Sequence, residues 1–185
     1  MKNIEDYTRV TSVLSPLSGL SAVNPQVLAN ACKRGVEIHK LCDAVIEGIG
    51  TPEVCNDWRG YLNSFLLFEK GKKFLQKPSR LFCDKHMITG EVDGIYKDES
   101  QVVLFDIKTP LQEKKTWCLQ LSAYWYLCSV NDIKIDRIIA LKLDKNGKEP
   151  KIFEYKIDFQ SYLECLNVYN KFFKNKETYE ELDLL

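Results

Sequence analysis

The chain has 185 residues, 45% of them hydrophobic and 28% charged, which fits one soluble globular domain over residues 1–185 and excludes a disordered, collagen-like or low-complexity chain. Lys plus Arg and Asp plus Glu balance at 26 each. A broad cationic coat for nucleic acid is therefore excluded, and any phosphate binding must come from a local patch or from bound metal ions. No apolar run approaches the roughly 18 residues of a membrane helix. Residues 1–6 lack the apolar stretch of a signal peptide and the Arg-rich character of a transit peptide, so no membrane association and a cytoplasmic location are expected.

Residues 1–24 read as an N-terminal arm. The first long helix is predicted from Asn24, an N-cap residue, and Pro25, the residue favoured at the first helical position. Val27, Leu28, Ala31, Ile38, Leu41, Cys42, Val45 and Ile49 recur at helical spacing before a stop at Gly50 and Pro52. A second helix is predicted over 54–69. Extended runs follow at 72–76, 79–84, 88–96 and 101–108, separated by turn-like residues at 77–79 and 97–100. A third helix spans 115–129, two strands lie near 135–143 and 151–157, and a last amphipathic helix follows Asp158. The acidic tail, 177–185, is expected to fray. The fold class is α/β, with helices flanking a central mixed sheet.

The seven cysteines, at 32, 42, 55, 83, 118, 128 and 165, form no Cys-x-x-Cys pair. A zinc or iron–sulfur cage has no support in their spacing, and reduced, mostly buried thiols are expected.

The chemistry concentrates in Gly90-Glu91-Val92-Asp93 and the strand Val102 to Lys108. Asp106 and Lys108 are two apart and project from one face of a strand. A hairpin turning at Asp98-Glu99 would set Asp93 opposite Leu104 and Asp106 opposite Glu91, so that Glu91, Asp93, Asp106 and Lys108 share that face. Two carboxylates supply hard oxygen ligands for Mg²⁺ or Mn²⁺, and an ammonium can orient an attacking water or offset charge building on a phosphate. The same acid-x-Lys spacing recurs at 113/115, 132/134, 149/151 and 154/156, where a solvated strand face with ion pairs is the ordinary explanation. Only the 106–108 copy follows an apolar strand with a Gly-x-x-Asp run immediately upstream.

Gly90-x-x-Asp93, then Asp106-x-Lys108, then Gln120-x-x-x-Tyr124 resembles the PD-(D/E)XK nuclease superfamily. It is most similar to its RecB-like branch, which includes phage exonucleases and the mitochondrial genome-maintenance exonuclease. Arg34-Gly35-Val36-Glu37-Ile38-His39 is similar to that branch's Arg-Gly-x-x-x-His helix, and Arg9-Val10-Thr11-Ser12-Val13-Leu14 to the opening of phage members. Val92 stands where the superfamily's name has proline, and the four-cysteine cluster of CRISPR-associated members is lacking.

The resemblance implies a restriction-endonuclease-like αβββαβ core preceded by N-terminal helices. It implies His39, Asp93, Asp106 and the Ile107 carbonyl as ligands of Mg²⁺, for which Mn²⁺ substitutes, with no zinc and no iron–sulfur cluster. Lys108 would be catalytic, and Gln120 and Tyr124 would support the site or touch DNA. Arg34, Lys114 and Lys115 are the candidate phosphate contacts. The expected activity is a DNA exonuclease leaving 5′-phosphate and 3′-hydroxyl ends, acting in repair or recombination, alone, as a homo-oligomer or with a replication or recombination partner. A structure-selective endonuclease and a non-catalytic DNA-binding subunit of the same fold are the alternatives. Close approach of the first helix to the sheet is expected to explain Gly35, which costs about 1 kcal/mol relative to alanine inside a helix.

Overall fold

The computed structural model describes residues 3–19, 23–50 and 53–174. Where the sequence pattern assigns no element, before Asn24, the chain forms a 3-10 turn at Ile4–Asp6, a short strand β1 (Thr8–Arg9), a helix α1 (Val10–Leu14) and a second 3-10 turn at Ser15–Leu17. This stretch is built into the molecule. β1 runs parallel to β4 (Ile88–Gly90), and Val10, Val13 and Leu14 are buried.

The long helix α2 (Pro25–Ile46) begins as its sequence predicts: the Asn24 side chain accepts hydrogen bonds from the backbone N–H of Gln26 and Val27. Gly48 and Gly50, both at positive φ, follow its end. Its first half carries no buried residue, and only Ile38 and Cys42 are fully inside. α3 (Asn56–Glu69) packs beside it and buries Tyr61, Leu62, Phe65 and Phe68.

The strands form two mixed sheets rather than one. β3 (Leu81–Cys83), β4 and β1 make a three-stranded sheet in the order β1-β4-β3, and β2 (Lys73–Phe74), β5 (Gly94–Asp98), β6 (Gln101–Lys108), β7 (Arg137–Lys142) and β8 (Lys151–Tyr155) make a five-stranded one in that order. The predicted strand over 88–96 is thus cut in two: β4 pairs with β3, β5 pairs with β6, and Glu91 to Asp93 cross between the sheets. A run can read as one strand by composition and still serve two sheets, because alternation records burial and not the identity of the partner.

β6 is the hub, antiparallel to β5 and parallel to β7. The parallel pair requires a crossover, supplied by α4 (Thr116–Ser129). One apolar layer, with Leu104, Leu121, Tyr124, Leu127, Ile138 and Tyr162, lies under α4 and α5 (Phe159–Phe172); the other, with Ile38, Phe65, Phe68, Phe105, Ile107 and Ile139, lies under α2 and α3. α4 is buried around most of its girth, including Trp117, which stands edge-on to Phe153 in the core. Cys42, Cys83 and Cys128 are buried, Cys118 and Cys165 half-buried, and Cys32 and Cys55 exposed; all seven are free thiols. Among the described residues no helix is long and apolar enough to cross a membrane. The acidic tail lies outside them.

Candidate active site

The turn between β5 and β6 consists of Glu99 and Ser100, with Asp98 paired to Gln101 and Glu99 in the left-handed region at φ 52°. This slides the hairpin two residues from the expected register. Parity is kept, but Gly94 now pairs with Phe105, and Asp93, in the bend just before β5, comes beside the end of β6, where its carboxylate accepts from the Ile107 backbone N–H. The two carboxylates therefore come closer than the sequence reading placed them. Glu91 does not join Asp106: its carboxylate pairs with Arg80 and is half exposed.

Gly90 and Gly94 make room for the arrangement. A Cβ on Gly90 would stand 2.6 Å from Tyr124 Cε1, and one on Gly94 would stand 2.2 Å from Phe105 Cζ. At these positions only glycine lets the chain pass close against α4 and β6.

Side chains from both layers converge here. His39, from α2, sits with Nδ1 2.9 Å from Asp93 Oδ1, and the other oxygen of Asp93 accepts from the Ile107 backbone N–H at 2.6 Å. From the α4 side, the Gln120 amide donates to Asp106 Oδ1 at 3.0 Å and to the Tyr124 hydroxyl at 3.2 Å, while its carbonyl oxygen accepts from Lys108 Nζ at 2.8 Å. Lys108 Nζ also lies 2.5 Å from Asp106 Oδ2. That oxygen is buried, and the ion pair with Lys108 is its only partner among the described residues. Lys108 further faces the Trp117 ring at 5.8 Å.

The electrostatics follow from burial. Asp106 is 3% exposed; its pKa is raised because burial outweighs the neighbouring ammonium, and the Asp93 charge adds to the rise. Asp93 goes the other way. Burial would raise it, but the charge and hydrogen bond of His39 hold it below the ordinary carboxylate value. For His39 burial works downward, and the Asp93 charge and hydrogen bond override it, lifting the imidazole to about 9. Two carboxylates face one another with an imidazolium and an ammonium supplying the positive charge.

These residues line a cleft of about 540 Å³ together with Arg9, Val36, Arg80, Thr89 and Thr109. Among the described residues no group of three His, Cys, Asp or Glu side chains is arranged to hold a metal ion. Mg²⁺ does not require one: it binds through one or two carboxylates, keeps several waters and takes the rest of its shell from substrate phosphate. Asp93 and Asp106, with Oδ2 of Asp106 held by nothing but the Lys108 ammonium among the described residues, fit that demand.

The expected phosphate contacts lie elsewhere. Arg34 stacks over Tyr61 of α3, and Lys114 donates to the Ser18 carbonyl; neither they nor Lys115 line the cleft. A Cβ on Gly35 would meet nothing within 4 Å, so close helix packing does not account for that glycine. His86 stands in the turn before β4, edge-on to Tyr126 and Phe159. Nothing in the sequence singles out Arg80; its position opposite Glu91 follows only from the β3–β4 register.

No family model matches the chain, and no curated protein matches it in sequence. Among solved structures it is similar to a candidate exonuclease from Eubacterium rectale, at 11% identity and a TM-score of 0.56, covering 89% of this chain and 78% of that one. The likeness shows a shared fold. SSO0001, at 18% identity and a TM-score of 0.46 over 90% of this chain and 76% of that one, is a weaker match. So is the alkaline exonuclease LHK-Exo from Laribacter hongkongensis, at 10% and 0.45 over 97% and 93%.

Proposed function

We propose that the chain is a metal-dependent DNA nuclease of the PD-(D/E)XK type, RecB-like, and an exonuclease by preference. The observation that carries this is the meeting of the Asp93 and Asp106 carboxylates at the end of β6, beside Lys108, on a fold shared with a candidate exonuclease. A divalent ion held by Asp93 and Asp106, with the Ile107 carbonyl and His39 at hand, would supply Lewis-acid stabilisation of the phosphate and a more acidic water.

The chain's own groups do the rest. Lys108, steered by the Gln120 carbonyl oxygen, leans toward charge building on the phosphate and orients the attacking water. Gln120 fixes Asp106 and Lys108 through one side chain, and the Tyr124 hydroxyl fixes Gln120. Burial has pushed the Tyr124 hydroxyl far up in pKa, so it stays a neutral hydrogen-bonding group throughout the working range. His39 keeps Asp93 ionised. In-line attack by water then releases a 3′-hydroxyl and leaves a 5′-phosphate.

The balance of 26 basic against 26 acidic residues favours one second reading, a DNA-binding subunit that keeps the fold without catalysis. Linear and circular DNA, labelled separately at each end and incubated with Mg²⁺ or Mn²⁺, separate the readings, with Lys108→Ala as control. Loss of nucleotides from linear DNA alone, abolished in the variant, supports the exonuclease. Cleaved circles support an endonuclease, and binding without cleavage supports the subunit.

A further inference from the structure

Arg80 and Glu91 stand across from each other where the β3–β4 hairpin runs on past its last pair, Leu81 with Gly90, into the cleft. The two partners are unequally placed. The Arg80 side chain is 19% exposed and set into the wall, whereas the Glu91 side chain is 53% exposed. The guanidinium is thus fixed and its carboxylate free to leave. Glu91 is two residues from Asp93, and Arg80, Glu91, Asp93 and Asp106 all line the one cleft. Arg9, on β1, lines the same wall and makes no ion pair among the described residues.

From this geometry we infer that Arg80 binds a nucleic-acid phosphate next to the one at Asp93 and Asp106, and that Glu91 is a built-in competitor for it. Planar guanidinium matches carboxylate and phosphate oxygens through the same fork. An entering phosphate displaces Glu91 into solvent, and a weakly held chain does not. The inference rests on the nuclease reading and deepens it: the competition lets a chain with no net charge hold DNA only where several phosphates engage together.

The test is binding without cleavage. A short fluorescein-labelled DNA duplex is titrated in EDTA against the wild type, Arg80→Ala, Glu91→Gln and the double variant, with thermal melts confirming that each is folded. Glu91→Gln tightens binding about threefold, as expected for freeing one partly exposed ion pair. Arg80→Ala weakens the wild type about threefold but weakens the Glu91→Gln protein about tenfold, because only there is the guanidinium fully available. Equal factors in the two backgrounds mean simple additive charge and overturn the competition. Arg80→Lys keeps the charge without the fork; full recovery of wild-type binding by it overturns the bidentate role. Cleavage in Mg²⁺ with no coupling in EDTA sinks this inference and leaves the nuclease reading standing. Neither binding nor cleavage of DNA sinks both.

Discussion

Replacing Gly90 with alanine adds a single methyl group where the chain crosses from the small sheet to the large one. That methyl would sit 2.6 Å from Tyr124 Cε1, 3.1 Å from Cδ1 and 3.2 Å from Leu127 Cδ1. Tyr124 cannot simply turn aside, since it is 5% exposed and its hydroxyl is held by Gln120. Overpacking of this kind costs about 1–3 kcal/mol, while alanine recovers up to about 1 kcal/mol through the lower entropy of the unfolded chain. The net expectation is a loss of about 1–2 kcal/mol, or a fall in Tm of about 2–8 °C for a chain of this length. The displaced ring also drags Gln120 away from Asp106 and Lys108, so on the proposed nuclease reading cleavage should be impaired as well as stability. Urea denaturation of Gly90→Ala in the wild-type and Tyr124→Leu backgrounds isolates the cause, because shortening Tyr124 removes the collision. An equal loss in both backgrounds, or none in either, refutes the argument from close approach.

Gly60→Ala tests the same logic against helix propensity. Alanine should favour α3 by about 1 kcal/mol, yet its Cβ would lie 1.8 Å from the backbone carbonyl oxygen of Lys145; urea denaturation should show a net destabilisation. Gln120→Leu removes the group that joins Asp106, Lys108 and Tyr124 and should lower kcat about 100-fold with KM for DNA nearly unchanged. In chelator, the pair of His39 and Asp93 gives stability that is full below pH 6.5 and is lost as the pH rises through about 9, where the raised imidazole deprotonates. With the His39 side chain 35% exposed, solvent screening reduces this to about 1–2 kcal/mol, visible as a Tm that falls across that window and stays flat in His39→Gln. Mg²⁺ at saturating concentration should raise Tm in the wild type and leave Asp106→Asn unmoved; an equal rise in both would place the ion elsewhere.

Most elements could be read from the sequence because their signals are local. Asn24-Pro25 opens α2, the apolar stretch from Val102 to Phe105 marks β6, and Asp158 caps α5 through the Ser161 backbone N–H. The candidate site was legible as residue types, since acid-x-Lys on a strand and Gln-x-x-x-Tyr on a helix fix which side chains share a face. Its geometry was not. The register of the β5–β6 hairpin depends on whether the turn takes Glu99 and Ser100 or the residue before, and Glu99 at positive φ gives no glycine to announce it. The division of 88–96 between two sheets depends on partners far away in sequence. For the same reason Glu91 reads as a neighbour of Asp106 by alternation, while in space it belongs to Arg80. Gly35 shows the opposite failure: a glycine in a helix invites a packing explanation, and the space around it is open.

The cluster draws His39 from α2, Asp93 from the crossing between sheets, Asp106 and Lys108 from β6, and Gln120 and Tyr124 from α4, which itself lies on the crossover between two parallel strands. No two adjacent elements suffice to build it. Parallel pairing and contacts spanning dozens of residues form late, once loop closure has been overcome. A chain that has not completed its fold therefore carries the reactive groups without their arrangement. Whatever chemistry this cleft performs is confined to molecules that have completed their fold, a safeguard that lies in the topology itself.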